Sequence, residues 1–236
     1  MTLLTEPTRI VLAKDSVAAT DTNIREVSLL LHGDGTNGST TITDSSLTPK
    51  TVTAVGNAQI STAQSKFGGS SIAFDGTGDY CTTPYSSAFN LEVGNWTIEL
   101  FAYPSVFSGP QGLFSAADVL SNAGLVVRFF NNSLQFWVNG YSQIIVGNVN
   151  AFAGAWYHIA LVRNGSTNTL YLNGSSIGSN TQTPVIGSPS NVTIGRVYSN
   201  LDSEYFNGYI DELRITKGVA RYTSTFTPPT ASFPDF

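Results

Sequence analysis

Residues 156–179 read WYHIALVRNGSTNTLYLNGSSIGS, and the way this stretch parses decides the fold. Trp156, Ala160 and Val162 alternate with Tyr157, Ile159 and Leu161, so an extended chain here is apolar on both faces. A strand of that kind belongs inside a layered β structure, not at an edge. Asn-Gly follows at 164–165 and again at 173–174. Both residue types tolerate positive φ, which two-residue hairpin turns require, so TLYL and SSIGS are predicted to pair across a turn at Asn173 and Gly174.

The same grammar extends in both directions. SIAF is followed by DGTGD, GLVVRFF by NNS and LQFWV by NG, and WTIELFAYP, NVTIG and YIDELRIT are further strand-like runs. Lys and Glu are scarce, while Gly, Ser, Thr, Asn, Val and aromatic residues are plentiful, a composition that disfavours helix. An all-β domain is predicted, and 236 residues suit one sandwich better than two domains. The only candidate helix, in SAADVLSNAG, is too short for more than a turn. The proline-rich end TSTFTPPTASFPDF is expected to run extended along the outside. Residues 1–26 are unusually charged and precede the first strongly apolar strand, VSLLLH, which marks them as a separate docking arm ahead of a domain at 27–236. Within that arm RIVLAK can form a short strand that lacks a hairpin partner.

Composition excludes several functions. A net charge of −5 with no Lys/Arg cluster removes the electrostatic basis of nucleic-acid binding. No apolar run is long enough for a membrane-crossing helix, and Glu6, Arg9 and Lys14 interrupt the N-terminal apolar patches, so no signal peptide is expected. Cys81 is the single cysteine, which rules out an intrachain disulfide and reads as core.

Catalysis is poorly supported. A glycosidase needs two carboxylates across the scissile bond, roughly 5 to 10 Å apart. Asp211 and Glu212 are neighbours on a predicted strand and so point to opposite faces, and Glu99 has no second carboxylate nearby in sequence. The two histidines, His32 and His158, read as a strand-end residue and a structural one. The protein is therefore expected to be non-enzymatic. Alternation in YIDELRIT places Asp211 with Tyr209, Leu213 and Ile215, so its carboxylate needs a cation or several hydrogen-bond donors. Glu212, Arg214, Lys217 and Arg221 then read as solvated or locally paired charges.

From about Val27 to Pro234 the succession LLLHGDGTNGSTTITDSS, STAQSKFGGSSIAFDGTGDYCTTP, NWTIELFAYP, WYHIALVRNGSTNTLYLNG and YFNGYIDELRITKGVARYTSTFTPPTASFP resembles the laminin G-like, concanavalin A-like lectin/glucanase superfamily. The resemblance implies a jelly-roll sandwich of two curved antiparallel sheets. It also implies a structural calcium, held by Asp211, the turn at Asp34 and main-chain oxygens of Gly76 or Gly78; the alternative is an Asp211 that accepts backbone N–H bonds at a bulge without metal. The family includes domains appended to bacteriophage tail and virion proteins. With the charged arm, this points to a virion-surface adhesion protein synthesised in the host cytoplasm, docked on other virion proteins through residues 1–26 and able to form a homo-oligomer. A secreted carbohydrate-binding module is the alternative, with a glycoside hydrolase behind it. For a host-surface glycan, sugar chemistry selects Trp137, Asn139, Tyr141, Tyr198, Asn200 and Tyr205, aromatic faces with amides beside them.

Overall fold

The computed structural model describes residues 20–118, 123–138, 142–148, 153–187, 189–198 and 203–236. Two eight-stranded antiparallel sheets form a jelly-roll-like sandwich, and no α-helix occurs among the described residues. In the first sheet the order is Ser175–Asn180, Thr167–Leu172, Tyr157–Asn164, Trp96–Pro104, Asn207–Lys217, Ser71–Asp75 and Gln59–Ser61, with Val27–Leu31 also paired to Asn207–Lys217. In the second it is Ser142–Asn148, Ser133–Val138, Ala123–Phe130, Pro110–Asp118, Asn191–Ile194, Tyr80–Pro84, Val52–Val55 and Thr41–Ile42. A separate two-stranded ribbon joins Arg196–Tyr198 to Ser203–Tyr205.

The hairpin at Asn173-Gly174 forms as expected: φ is +48° and +80° at the two residues, and Leu172 pairs with Ser175. The expected helical turn does not form at its N-terminal end, because Ser115–Asp118 continue the Pro110–Asp118 strand and pair with Ala123–Val126.

The core lies between the sheets. Ile72, Ile98, Leu100, Ile159, Leu161, Ile210, Leu213 and Ile215 from the first meet Phe114, Val127, Phe129, Phe136, Val192 and Ile194 from the second. Cys81 is in this core, and burial pushes its thiol up to about 12. The doubly apolar strands have a second covering layer on the outside. Ala160, Val162 and Tyr171 pack beneath Ala220, Tyr222 and Phe226, and Phe101 packs with Phe233. The proline-rich end thus runs outside the sheet but seals it, and Phe233, only 4% exposed, contributes about 2 kcal/mol by burial.

A β-bulge breaks the alternation of Asn207–Lys217. Asp211 pairs with Phe101 and Arg214 with Glu99, so one extra residue is accommodated, with Glu212 at φ +51°. The expectation that Asp211 shares a face with Leu213 and Ile215 is corrected: Leu213 and Ile215 are in the core, whereas Asp211 faces outward beneath the 66–67 segment.

Of the predicted arm, residues 1–19 lie outside the described residues. Residues 20–26 are attached to the sandwich: Asp21 accepts from Arg214 and Arg221, and its backbone N–H donates to Phe236 O at 2.9 Å.

Candidate functional site

The outer face of the second sheet carries the side chains that alternation turns away from the core. Trp137 is half-buried, with the Arg128 guanidinium over its ring at 4.4 Å. Gln135 Oε1 holds both partners, accepting from Arg128 Nε at 3.0 Å and Trp137 Nε1 at 2.8 Å. Arg128 also lies over Phe130 at 5.1 Å and pairs through Nη1 with Glu204, on the ribbon. These contacts fix the Trp137 ring on a rigid strand, which a stacking surface requires.

The ribbon lies over Pro110–Asp118. A Cβ at Gly112 would overlap Val197 N, so the absence of a side chain is what lets the two backbones approach. On its other side Arg196 stacks over Tyr80 at 4.6 Å and Tyr205 at 5.5 Å, and the two tyrosine rings are 6.5 Å apart. One sheet face therefore presents two half-buried aromatic groups, each backed by a guanidinium and joined by the Arg128–Glu204 ion pair. Glu204 Oε2 is buried and has no hydrogen-bond partner.

Of the predicted sugar-contacting residues, Trp137 and Tyr205 come to this face. Tyr198 has its backbone in the Arg196–Tyr198 strand, and Asn139, Tyr141 and Asn200 lie outside the described residues. Sequence reasoning missed Arg128, Glu204, Arg196 and Tyr80. Arg128 had a signal, being the lone charge inside the apolar run GLVVRFF, where a cation is retained only with partners.

Of the expected calcium ligands, Asp34 lies near enough to Asp211 for its charge to raise the Asp211 carboxyl. Gly76 packs against Asn207, four strand positions from Asp211 and thus about 13 Å along the chain, and Gly78 packs against Gly56. Among the described residues no His, Cys, Asp or Glu group has the arrangement of a metal centre. Asp211 Oδ2 instead accepts the Lys66 and Phe67 backbone N–H groups at 2.6 and 3.2 Å, and Oδ1 is left without a partner. Burial pushes the Asp211 carboxyl up to about 7, against those two N–H bonds and with help from the Glu212 and Asp34 charges. Asp34 is raised for the same reason, burial first and Glu212 beside it. Glu212, expected on the opposite face and solvated, is 1% exposed, binds His32 Nδ1 at 2.9 Å and accepts Phe233 N–H at 2.8 Å. The bulge causes this, by turning Asp211 and Glu212 toward the same layer.

A second buried network corrects the reading of Arg214 and Arg221 as ordinary surface charges. Glu99, fully buried, accepts Arg214 Nη2 at 2.7 Å and Tyr222 Oη at 2.7 Å, with His158 Nε2 at 3.3 Å. Burial alone would raise this carboxyl, but the His158 bond and the Arg214 charge outweigh it and lower the pKa to about 2. Asp21 then joins Arg214 to Arg221 at 3.0 and 2.7 Å. Glu99 and His158 thus lie under the C-terminal segment and are spent on holding it.

The family described as the concanavalin A-like lectin/glucanases superfamily matches residues 75–221. No curated protein matches the sequence. Among solved structures, the binding domain of Paraclostridial Mosquitocidal Protein 1 aligns with a TM-score of 0.64 and 18% identity over 82% of this chain and 49% of its own. The botulinum neurotoxin serotype D binding domain gives 0.63 and 13% over 84% and 49%. A botulinum neurotoxin type C structure, described as dependent for cell entry on two ganglioside molecules, gives 0.60 and 15% over 84% and 49%. The chain spans about half the length of these structures, and identities this low speak for the fold. They overturn the bacteriophage expectation: the neighbours are neurotoxin and toxin binding domains, not tail or virion proteins. The virion-surface location and the docking of residues 1–26 on other virion proteins fall with it.

Proposed function

We propose that this chain, which belongs to the concanavalin A-like lectin/glucanases superfamily, is a carbohydrate-binding module whose ligand is a cell-surface glycan. The protein is non-enzymatic: its buried carboxylates hold structure together, and the domains it resembles are named for binding. The observation that carries the reading is the pair of guanidinium-backed aromatic groups on the outer face of the second sheet, Arg128 on Trp137 and Arg196 on Tyr205. Half-exposed rings held in place offer C–H stacking to a sugar. Botulinum relatives of the fold are described with a sialylated ligand and with gangliosides, which makes sialylated oligosaccharides the first probes.

A glycan array followed by titration tests this. Trp137→Ala is expected to weaken binding about tenfold or more, the cost of truncating a central aromatic contact, with the melting temperature little changed. Binding that survives both Trp137→Ala and Tyr205→Ala would refute the assignment.

A further inference from the structure

The outer face of the first sheet is not uniformly sealed. Where Phe226 and Phe233 cover it, the side chains beneath are buried. Beside them a transverse row crosses four strands and ends just before the start of a fifth. Gln59 pairs with Ala73, Ala73 with Tyr209 and Tyr209 with Tyr103, and the Trp156 ring lies next, its centroid 5.4 Å from Tyr103. Tyr103 and Tyr209 are 5.8 Å apart. All three aromatic residues are half-buried, and no hydrogen bond among the described residues engages either hydroxyl or Trp156 Nε1. Trp156 packs on one side against the Phe101 and Phe233 cluster, and Tyr103 and Tyr209 carry the half-exposed aromatic surface on from it.

Tyr209 also forms one wall of a cleft of about 500 Å³, with Asn57, Gln59, Asp75, Ser105 and Asn207 around it. The polar groups of this cleft are aimed in advance. Asn207 Nδ2 donates to Asp75 O at 2.9 Å, and Asn57 Nδ2 to Asp75 Oδ2 at 3.2 Å. Asp79, only 1% exposed, holds the loop by accepting Asn57 N–H at 2.6 Å and Asp75 N–H at 2.9 Å. Gly76 approaches Asn207 so closely that a Cβ there would sit 2.9 Å from the Asn207 Cβ. Asn57, Asn207, Ser105 and Asp75 thus bring amide, hydroxyl and carboxylate groups together in one lining.

We propose that the Tyr209–Tyr103–Trp156 row and the cleft it runs into form a second carbohydrate site, which takes an uncharged oligosaccharide. The row supplies aromatic surface over a length greater than one sugar ring, its neighbouring rings inclined to each other by 57° and 75°. The cleft supplies fixed acceptors for hydroxyl donors at one end. Its lining holds carboxylates and no Lys, Arg or His, so it repels an acidic sugar, in contrast to the arginine-backed face of the other sheet. At the edge strand Gln59–Ser61 the Ile60 N–H and C=O are already taken by Ser39 and Gly38, which does not suit peptide addition. The site is independent of the Trp137 face, and either assignment can fail alone.

The test is saturation-transfer NMR on the intact chain with cellohexaose, mannohexaose and a desialylated lacto-series tetrasaccharide at millimolar concentration. At least one is expected to show transfer, and Tyr209→Ala to weaken it about tenfold, equivalent to about 1.4 kcal/mol. Asn57→Ala, a change at an exposed side chain, is expected to act in the same direction and keeps the test valid if Tyr209→Ala misfolds. Trp137→Ala is expected to leave this binding in place. The proposal is overturned if no neutral oligosaccharide shows transfer, or if the loss follows Trp137→Ala and not Tyr209→Ala. It is equally overturned if Tyr209→Ala changes only the sedimentation of the protein, which would make the row a self-association surface.

Discussion

Replacing Asp211 by asparagine is expected to stabilise the protein at pH 8 and to change nothing at pH 4. The wild-type carboxyl titrates near its ordinary 3.8 when unfolded and at about 7 when folded. Between those values the folded state holds a proton that the unfolded state has lost, so stability falls as pH rises. Each pH unit costs about 1.4 kcal/mol, and across roughly three units the deficit reaches about 4 kcal/mol, complete above pH 7. Asparagine carries no charge to desolvate. Its carbonyl can keep accepting from Lys66 and Phe67 N–H, and its amide replaces the unpartnered Oδ1 in the negative field of Asp34 and Glu212. At most the whole deficit is recovered. Urea unfolding of both proteins from pH 4 to pH 8 measures the gap. A variant less stable than wild type at pH 8, or a gap that does not widen with pH, refutes the reasoning. A metal-held Asp211 would give the first of those results.

Glu99→Gln is expected to cost about 3 kcal/mol at pH 7 by removing one of the two carboxylates that pair with the buried Arg214 and leaving it Asp21 alone. Because the Glu99 pKa is depressed, the stability it supplies is present above its ordinary 4.5 and lost as pH falls toward about 2, so the variant's deficit should shrink in acid. Chelator is expected to leave the melting temperature unchanged; a drop that added calcium reverses would show that the Asp34 and Asp211 carboxylates hold a cation after all. Gly112→Ala should destabilise by about 1 to 3 kcal/mol through overpacking against Val197, and should weaken glycan binding at Trp137 and Tyr205 by lifting the ribbon. Calorimetry with a parallel titration separates the two effects.

Strand positions and turns were legible because their causes are local. Asn173 and Gly174 carry their turn preference in their own backbones, and the doubly apolar pattern of residues 156–162 announced that both faces of that strand are covered. The bulge was not legible, since no residue type demands positive φ at Glu212, and without it the parity of Asp211 came out wrong. The charge networks were hidden for a different reason. Glu99 and Arg214 are 115 residues apart, and Asp21 and Arg221 are 200 apart, so their pairing depends on a strand order that no local pattern encodes. At the candidate site the aromatic residues were readable by chemistry, but their arginine partners come from a neighbouring strand and from the ribbon.

The hydrogen bond from Asp21 to Phe236 brings two points 215 residues apart side by side at the rim of the sandwich. A unit of that shape can be spliced into a loop of a host protein without prising the loop open. It can equally be circularly permuted: a linker from residue 236 to residue 1, with new ends cut at the exposed turn at Asn164 and Gly165, should preserve both sheets. Such a permutant would keep the sugar-facing surfaces while exchanging which side of the sandwich is tethered.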